Sequence, residues 1–106
     1  MKRKYKLSYI YRKCGILYEE ELSFDKFYES FSNCINEYEF NFENLTIYLA
    51  YHSECYDKGK NIIYELNIVD ALDNDKNYNF LNVDDLLSAK IIDGYSLLDI
   101  WDYLTN

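Results

Sequence analysis

Residues 73 to 85, DNDKNYNFLNVDD, place acids and amides at alternate positions and end on two aspartates, which raises the question of metal binding. With Asp73 as position 1, donors fall at Asp75 (3), Asn77 (5) and the Asn79 carbonyl (7), and Asp84 stands at 12, as in a calcium loop of the EF-hand type. Two positions disagree with that pattern. Tyr78 stands where glycine makes the sharp positive-φ turn, and Asp84 is a shorter arm than the usual bidentate glutamate. The preceding YELNIVDAL has the alternation of a strand instead of an entering helix. The stretch therefore reads first as a strand-to-helix loop capped by Asn82. A small metal- or ligand-binding regulatory module using the Asp73 to Asp84 loop is the alternative.

Other chemistry is sparse. His52 is the single histidine and stands three residues before Cys55, but a zinc site needs three or four ligands at paired spacings, and a catalytic thiol needs a base beside it. Glu54 and Asp57 nearby would raise that thiol's pKa, so His52 reads as a surface residue at a strand end. Glu19 and Glu21 fall on one strand face and Glu20 on the other, which does not make an acid-base pair. No glycine-rich phosphate loop and no serine elbow is present. The expectation is a protein that is not an enzyme, with no catalytic residue, metal or cofactor. A hydrolase could arise only from carboxylates that folding brings together.

Charge carries more information. The net charge is −8, but Lys2, Arg3, Lys4, Lys6, Arg12 and Lys13 all precede Cys14, so the remainder holds five bases against nineteen acids. A body of that sign repels nucleic acid and favours basic partners. The basic start, MKRKYK, is short and reads as a charged strand edge in preference to a phosphate-binding arm. Acids three or four apart on a helix stand about 5–6 Å from one another, so Asp99 and Asp102 share a face, and rows of that kind can imitate phosphates. Asp84, Asp85, Asp99 and Asp102, with Tyr95 and Tyr103 as aromatic anchors, are the candidate partner-binding residues. The implied partner is a protein with a basic, nucleic-acid-binding surface, without direct contact to nucleic acid or membrane.

The elements that position these residues follow from periodicity. KYKLSYIYRK and ILYEEELS alternate and flank Cys14-Gly15, which predicts a hairpin. In SFDKFYESFSNCINEY, residues Phe24, Phe27, Tyr28, Phe31, Cys34, Ile35 and Tyr38 form one stripe of an amphipathic helix, with Ser23 as N-cap. NLTIYLAYH and NIIYELNIV, joined through DKGK, predict a second hairpin. Asn82 and Ser96 each precede a short apolar run and have an aspartate three residues on, which resembles a capping box. The sum is a single α+β domain over residues 1–106: an antiparallel sheet of about four strands from two hairpins, one amphipathic helix and two short C-terminal helices.

Cys14, Cys34 and Cys55 are odd in number and widely spaced, which points to reduced, buried thiols. With no apolar run of signal or membrane-spanning length, the expected location is cytoplasmic. Small, acidic and without motif, the chain resembles, in composition alone, phage-encoded inhibitors of bacterial defence, including anti-CRISPR and anti-restriction proteins. That resemblance implies a non-catalytic inhibitor that acts as a nucleic-acid mimic.

Overall fold

The period-two segments form a sheet and the period-3.6 segment lies on it in the computed structural model, which describes residues 8–13, 15–56 and 59–106. The elements are β1 (Ser8–Lys13), β2 (Ile16–Glu21), α1 (Phe24–Ser32), β3 (Tyr38–Phe42), β4 (Leu45–Tyr56), β5 (Gly59–Val69), β6 (Asp75–Phe80), α2 (Val83–Ser88), α3 (Leu97–Ile100) and a 3-10 turn (Trp101–Tyr103). The class is α+β, with a four-stranded antiparallel sheet in the order β3-β4-β5-β6. The membership of that sheet differs from the sequence expectation. β1 and β2 pair as a separate two-stranded sheet, from Ser8 opposite Glu21 to Lys13 opposite Ile16. β3 and β6 instead complete the larger sheet around the β4-β5 hairpin. The basic start and Cys14 lie outside the described residues.

β3 exists because α1 stops six residues earlier than its apolar stripe suggests. Ser23 caps the start, its side chain accepting from the Lys26 N–H at 3.1 Å. The end is a Schellman turn: the Cys34 N–H donates to Phe31 O at 3.1 Å and the Ile35 N–H to Ser30 O at 2.8 Å, with Cys34 at φ 56°. Glycine usually takes that left-handed position. With Cys34 there the stop leaves no composition signal, and Ile35 and Tyr38 read as a continuation of the helix. Two sheet tyrosines complete the cap. Tyr64 Oη donates to Ser32 O and Tyr51 Oη to Cys34 O, each at 2.8 Å, satisfying carbonyls that helix geometry leaves open.

β6 replaces the expected loop. Asp75–Phe80 pairs along β5, from Asp75 opposite Val69 to Phe80 opposite Tyr64. Its amides and aspartate suppress the hydrophobic signal of a strand, but as an edge strand it needs only Tyr78 and Phe80 to pack against the core.

The sheet has one packed face and one open face. Phe40, Phe42, Ile47, Leu49, Tyr64, Leu66 and Ile68 are buried beneath the helices. Phe27 and Phe31 of α1 are stacked at 5.6 Å between ring centroids, and Trp101 meets Phe27 at 4.9 Å and Phe40 edge-on at 5.5 Å. Rings of this size each contribute roughly 1.5–3 kcal/mol through burial. The aromatic stripe of α1 is thus core. The final turns close the packed face: the Thr105 N–H donates to Asn41 O at 2.9 Å and the Asn41 N–H to Thr105 O at 2.8 Å, holding the C-terminal segment against the β3 edge. Cys34 is a half-buried free thiol. Among the described residues no helix is long and apolar enough to cross a membrane.

Candidate functional site

The six residues selected from sequence fall on the helical side of the molecule, and most of their acids serve the fold. Asp84 and Asp85 open α2, where Asn82 is the N-cap. The Asp85 N–H donates to Asn82 Oδ1 at 2.8 Å, and Asn82 Nδ2 returns a bond to Asp85 Oδ2 at 3.1 Å. This is a side-chain variant of the expected capping box. Asp84 Oδ1 accepts the Tyr28 hydroxyl at 2.8 Å and so ties α2 to α1. That hydrogen bond to a carboxylate is the main reason the Tyr28 pKa is raised.

Around α3 the capping box is complete. The Asp99 N–H donates to Ser96 Oγ at 3.1 Å, and the Ser96 N–H donates to Asp99 Oδ2 at 3.0 Å. Lys90 Nζ also meets Asp99 Oδ2 at 2.8 Å. Led by Lys90, these donors lower the Asp99 pKa to about 2. Asp102 is exposed on the 3-10 turn, and Tyr103 is half-buried against the core. Tyr95 is 49% exposed, its ring edge-on to Phe42 at 6.3 Å and its backbone paired reciprocally with Ile92.

Residues 75–80 form a strand and not a loop of the EF-hand type. In an extended strand Asp75, Asn77 and Asn79 share one face at intervals of about 7 Å, which holds them in a row instead of around a point. Among the described residues no group of three or more His, Cys, Asp or Glu is placed to hold a metal ion. His52 lies within β4 on the open face, where its Nδ1 is 2.9 Å from Glu65 Oε1. That face alternates Glu39, Asn41, Thr46, Tyr48, Glu65, Asn67, Asp75, Asn77 and Asn79 by register. The charge of Glu39 beside Tyr48 is the main cause of that tyrosine's raised pKa.

Three acids that composition could not group meet at the turn end of the sheet. Glu43, Asp70 and Asp93 line one cleft of ≈ 360 Å³ with Asn44, Asn74 and Lys76. Lys76 is the one base among the described lining residues. Asp73 lies on the β5-β6 turn, its N–H donating to Asp70 O at 3.0 Å, whereas Asp75 opens β6 on the open face of the sheet. Glu43, Asp73 and Asp93 have φ values of 53°, 61° and 52°, the left-handed conformation that costs of order 1 kcal/mol or more in a residue with a Cβ. Asp70 organises the turn: its Oδ1 accepts from the Leu72 N–H at 2.9 Å and the Asn74 N–H at 3.0 Å, and its Oδ2 accepts from Asn74 Nδ2 at 3.2 Å. The Asn74 and Leu72 N–H groups lower its pKa, which keeps it ionised. The only trace of this end in the sequence is turn composition, FENL, DALDND and IIDGY.

A second cleft, ≈ 510 Å³, opens between α1, β5 and the β6-α2 connection, lined in part by Tyr28, Ser32, Ile62, Tyr64, Leu81 and Asp84. Ser32 Oγ is buried there without a hydrogen-bond partner among the described residues, a state that costs of order 1–3 kcal/mol in an apolar setting. Comparison with protein-family models, curated proteins and solved structures finds no match.

Proposed function

We propose that the chain is a non-catalytic, protein-binding inhibitor whose acidic turn end enters the basic groove of a nucleic-acid-handling protein. The observation that carries this reading is the meeting of Glu43, Asp70 and Asp93 around one cleft, with Asp73 on the turn that Asp70 organises. Three acids against the single described base, Lys76, leave the cleft a net negative field, and a concave surface focuses such a field and steers an oppositely charged partner. The acids of α2 and α3 add to the field, but Asp85 and Asp99 are bonded within the fold. Contact therefore centres on the turn end. The resemblance in composition to anti-CRISPR and anti-restriction proteins points to a bacterial defence nuclease as the class of target and to a phage as the source of the inhibitor.

The test is displacement of labelled duplex DNA from purified defence nucleases, followed by fluorescence anisotropy. The protein should displace the DNA at low salt and lose potency as ionic strength rises. The triple variant Glu43→Gln, Asp73→Asn, Asp93→Asn should be markedly weaker at every salt concentration. Displacement that ignores both salt and the triple substitution would overturn the reading.

A further inference from the structure

The cleft beside Tyr28 has a chemistry of its own, distinct from the turn end. Among the described residues that line it, Asp84 is the one acid and there is no lysine, arginine or histidine. Asp84 Oδ1 is committed to the Tyr28 hydroxyl, and no hydrogen bond or ion pair joins Oδ2 to another described residue. The Ser32 hydroxyl is buried without a hydrogen-bond partner among the described residues. The Tyr64 hydroxyl is already committed to Ser32 O at 2.8 Å, which leaves that tyrosine's ring as its contribution. Ile62, Val83 and Leu81 supply the apolar wall, and Leu81 is 75% exposed.

These features select among ligands. A phosphate or carboxylate would meet Asp84 with no base among the described lining residues to offset the repulsion. A purely apolar ligand would bury Asp84 and leave Ser32 unsatisfied. A cation on an alkyl stem suits both parts: its head can pair with Asp84 Oδ2 and face phenol rings, while its stem covers Leu81 and Ile62.

We infer that this cleft binds a guanidinium or ammonium group carried on an alkyl stem, with Asp84 as its counter-ion and Tyr28 as the residue that orients Asp84. The stem can belong to an arginine or lysine of a protein partner or to a free alkylamine or alkylguanidine. The first source rests on the inhibitor reading above. The cleft itself does not.

Solution NMR of the full chain, titrated with butylguanidinium and separately with its neutral analogue butylurea, tests the inference. Butylguanidinium should move the ring signals of Tyr28 and Tyr64 saturably, and butylurea should leave them in place. Asp84→Asn keeps an oxygen to accept the Tyr28 hydroxyl but removes the charge, and should weaken butylguanidinium by about tenfold or more. Tyr28→Phe keeps the ring and frees Asp84, and should give an intermediate loss. A blocked Gly-Arg-Gly peptide that binds more tightly than butylguanidinium assigns the source to polypeptide, and weaker binding assigns it to a free small molecule. Equal shifts with butylurea, or guanidinium shifts confined to Glu43, Asp70 and Asp93, would overturn the site. In the latter case salt-sensitive DNA displacement could persist, and loss of displacement with an intact cleft would remove the inhibitor reading alone.

Discussion

Asp85 and Asp99 sit in the first turns of short helices, held by Asn82, Ser96 and Lys90. Glu43, Asp73 and Asp93 sit in left-handed turns at the end of the sheet, and no side-chain hydrogen bond or ion pair joins them to another described residue. In the helices the carboxylate is consumed by the fold: Asp99 accepts the Ser96 N–H and the Lys90 ammonium, and Asp85 accepts the side-chain amide of the Asn82 cap. At the turns the backbone carries strain and the carboxylate gives nothing back to stability. Charge that returns no stability where it stands is the charge available to a partner. Asp70 marks the boundary between the two regimes, since it organises its turn and also lines the acidic cleft.

This contrast can be broken by substitution. The largest effect is expected at Ser96, which is 4% exposed and whose hydroxyl caps α3. Ser96→Ala should cost about 1–2 kcal/mol in chemical denaturation, and a loss below a few tenths would show that the box is incidental. Next is Tyr64→Phe, which removes the hydroxyl that donates to Ser32 O at the end of α1. Its expected cost is about 1 kcal/mol, read as a shift in the denaturation midpoint at unchanged slope.

Acid should weaken the helical side through Asp99. Its folded pKa of about 2 lies below the ordinary 3.8, so its contribution is complete above pH 3.8 and is lost as pH falls from there through 2. Asp70, also lowered, adds loss of the same sign. Asp99→Asn should flatten that acid limb in pH-dependent denaturation, and an unchanged limb would contradict the capping role. The smallest effect is expected at the turns. Asparagine tolerates positive φ as aspartate does, so Asp73→Asn with Asp93→Asn should change stability by less than about 0.5 kcal/mol. A larger loss would mean that these acids are also held by the fold.

The elements whose period matched their role were legible: β1 and β2, the β4-β5 hairpin, the start of α1, and the caps Ser23, Asn82 and Ser96. Those caps could be read because a cap is local, a side-chain oxygen meeting an N–H three residues on. The end of α1 was not legible, because its stop is a backbone state at Cys34 with no glycine or proline to mark it. β6 was hidden behind amides and an aspartate that suit a polar turn equally well. What made DNDKNYNFLNVDD look like a cation loop was donor alternation, and alternation is also what places Asp75, Asn77 and Asn79 on one open sheet face.

The sequence alone determined the α+β class, the aromatic interior and the surplus of acid, because composition and period act within a turn or two of chain. Tertiary structure decided which acids face one another. Glu43, Asp70 and Asp93 are far apart along the chain and meet only through the strand register that brings the β3-β4 and β5-β6 turns beside the 93–94 turn. Register is a long-range outcome, set by which hydrophobic faces must be buried together.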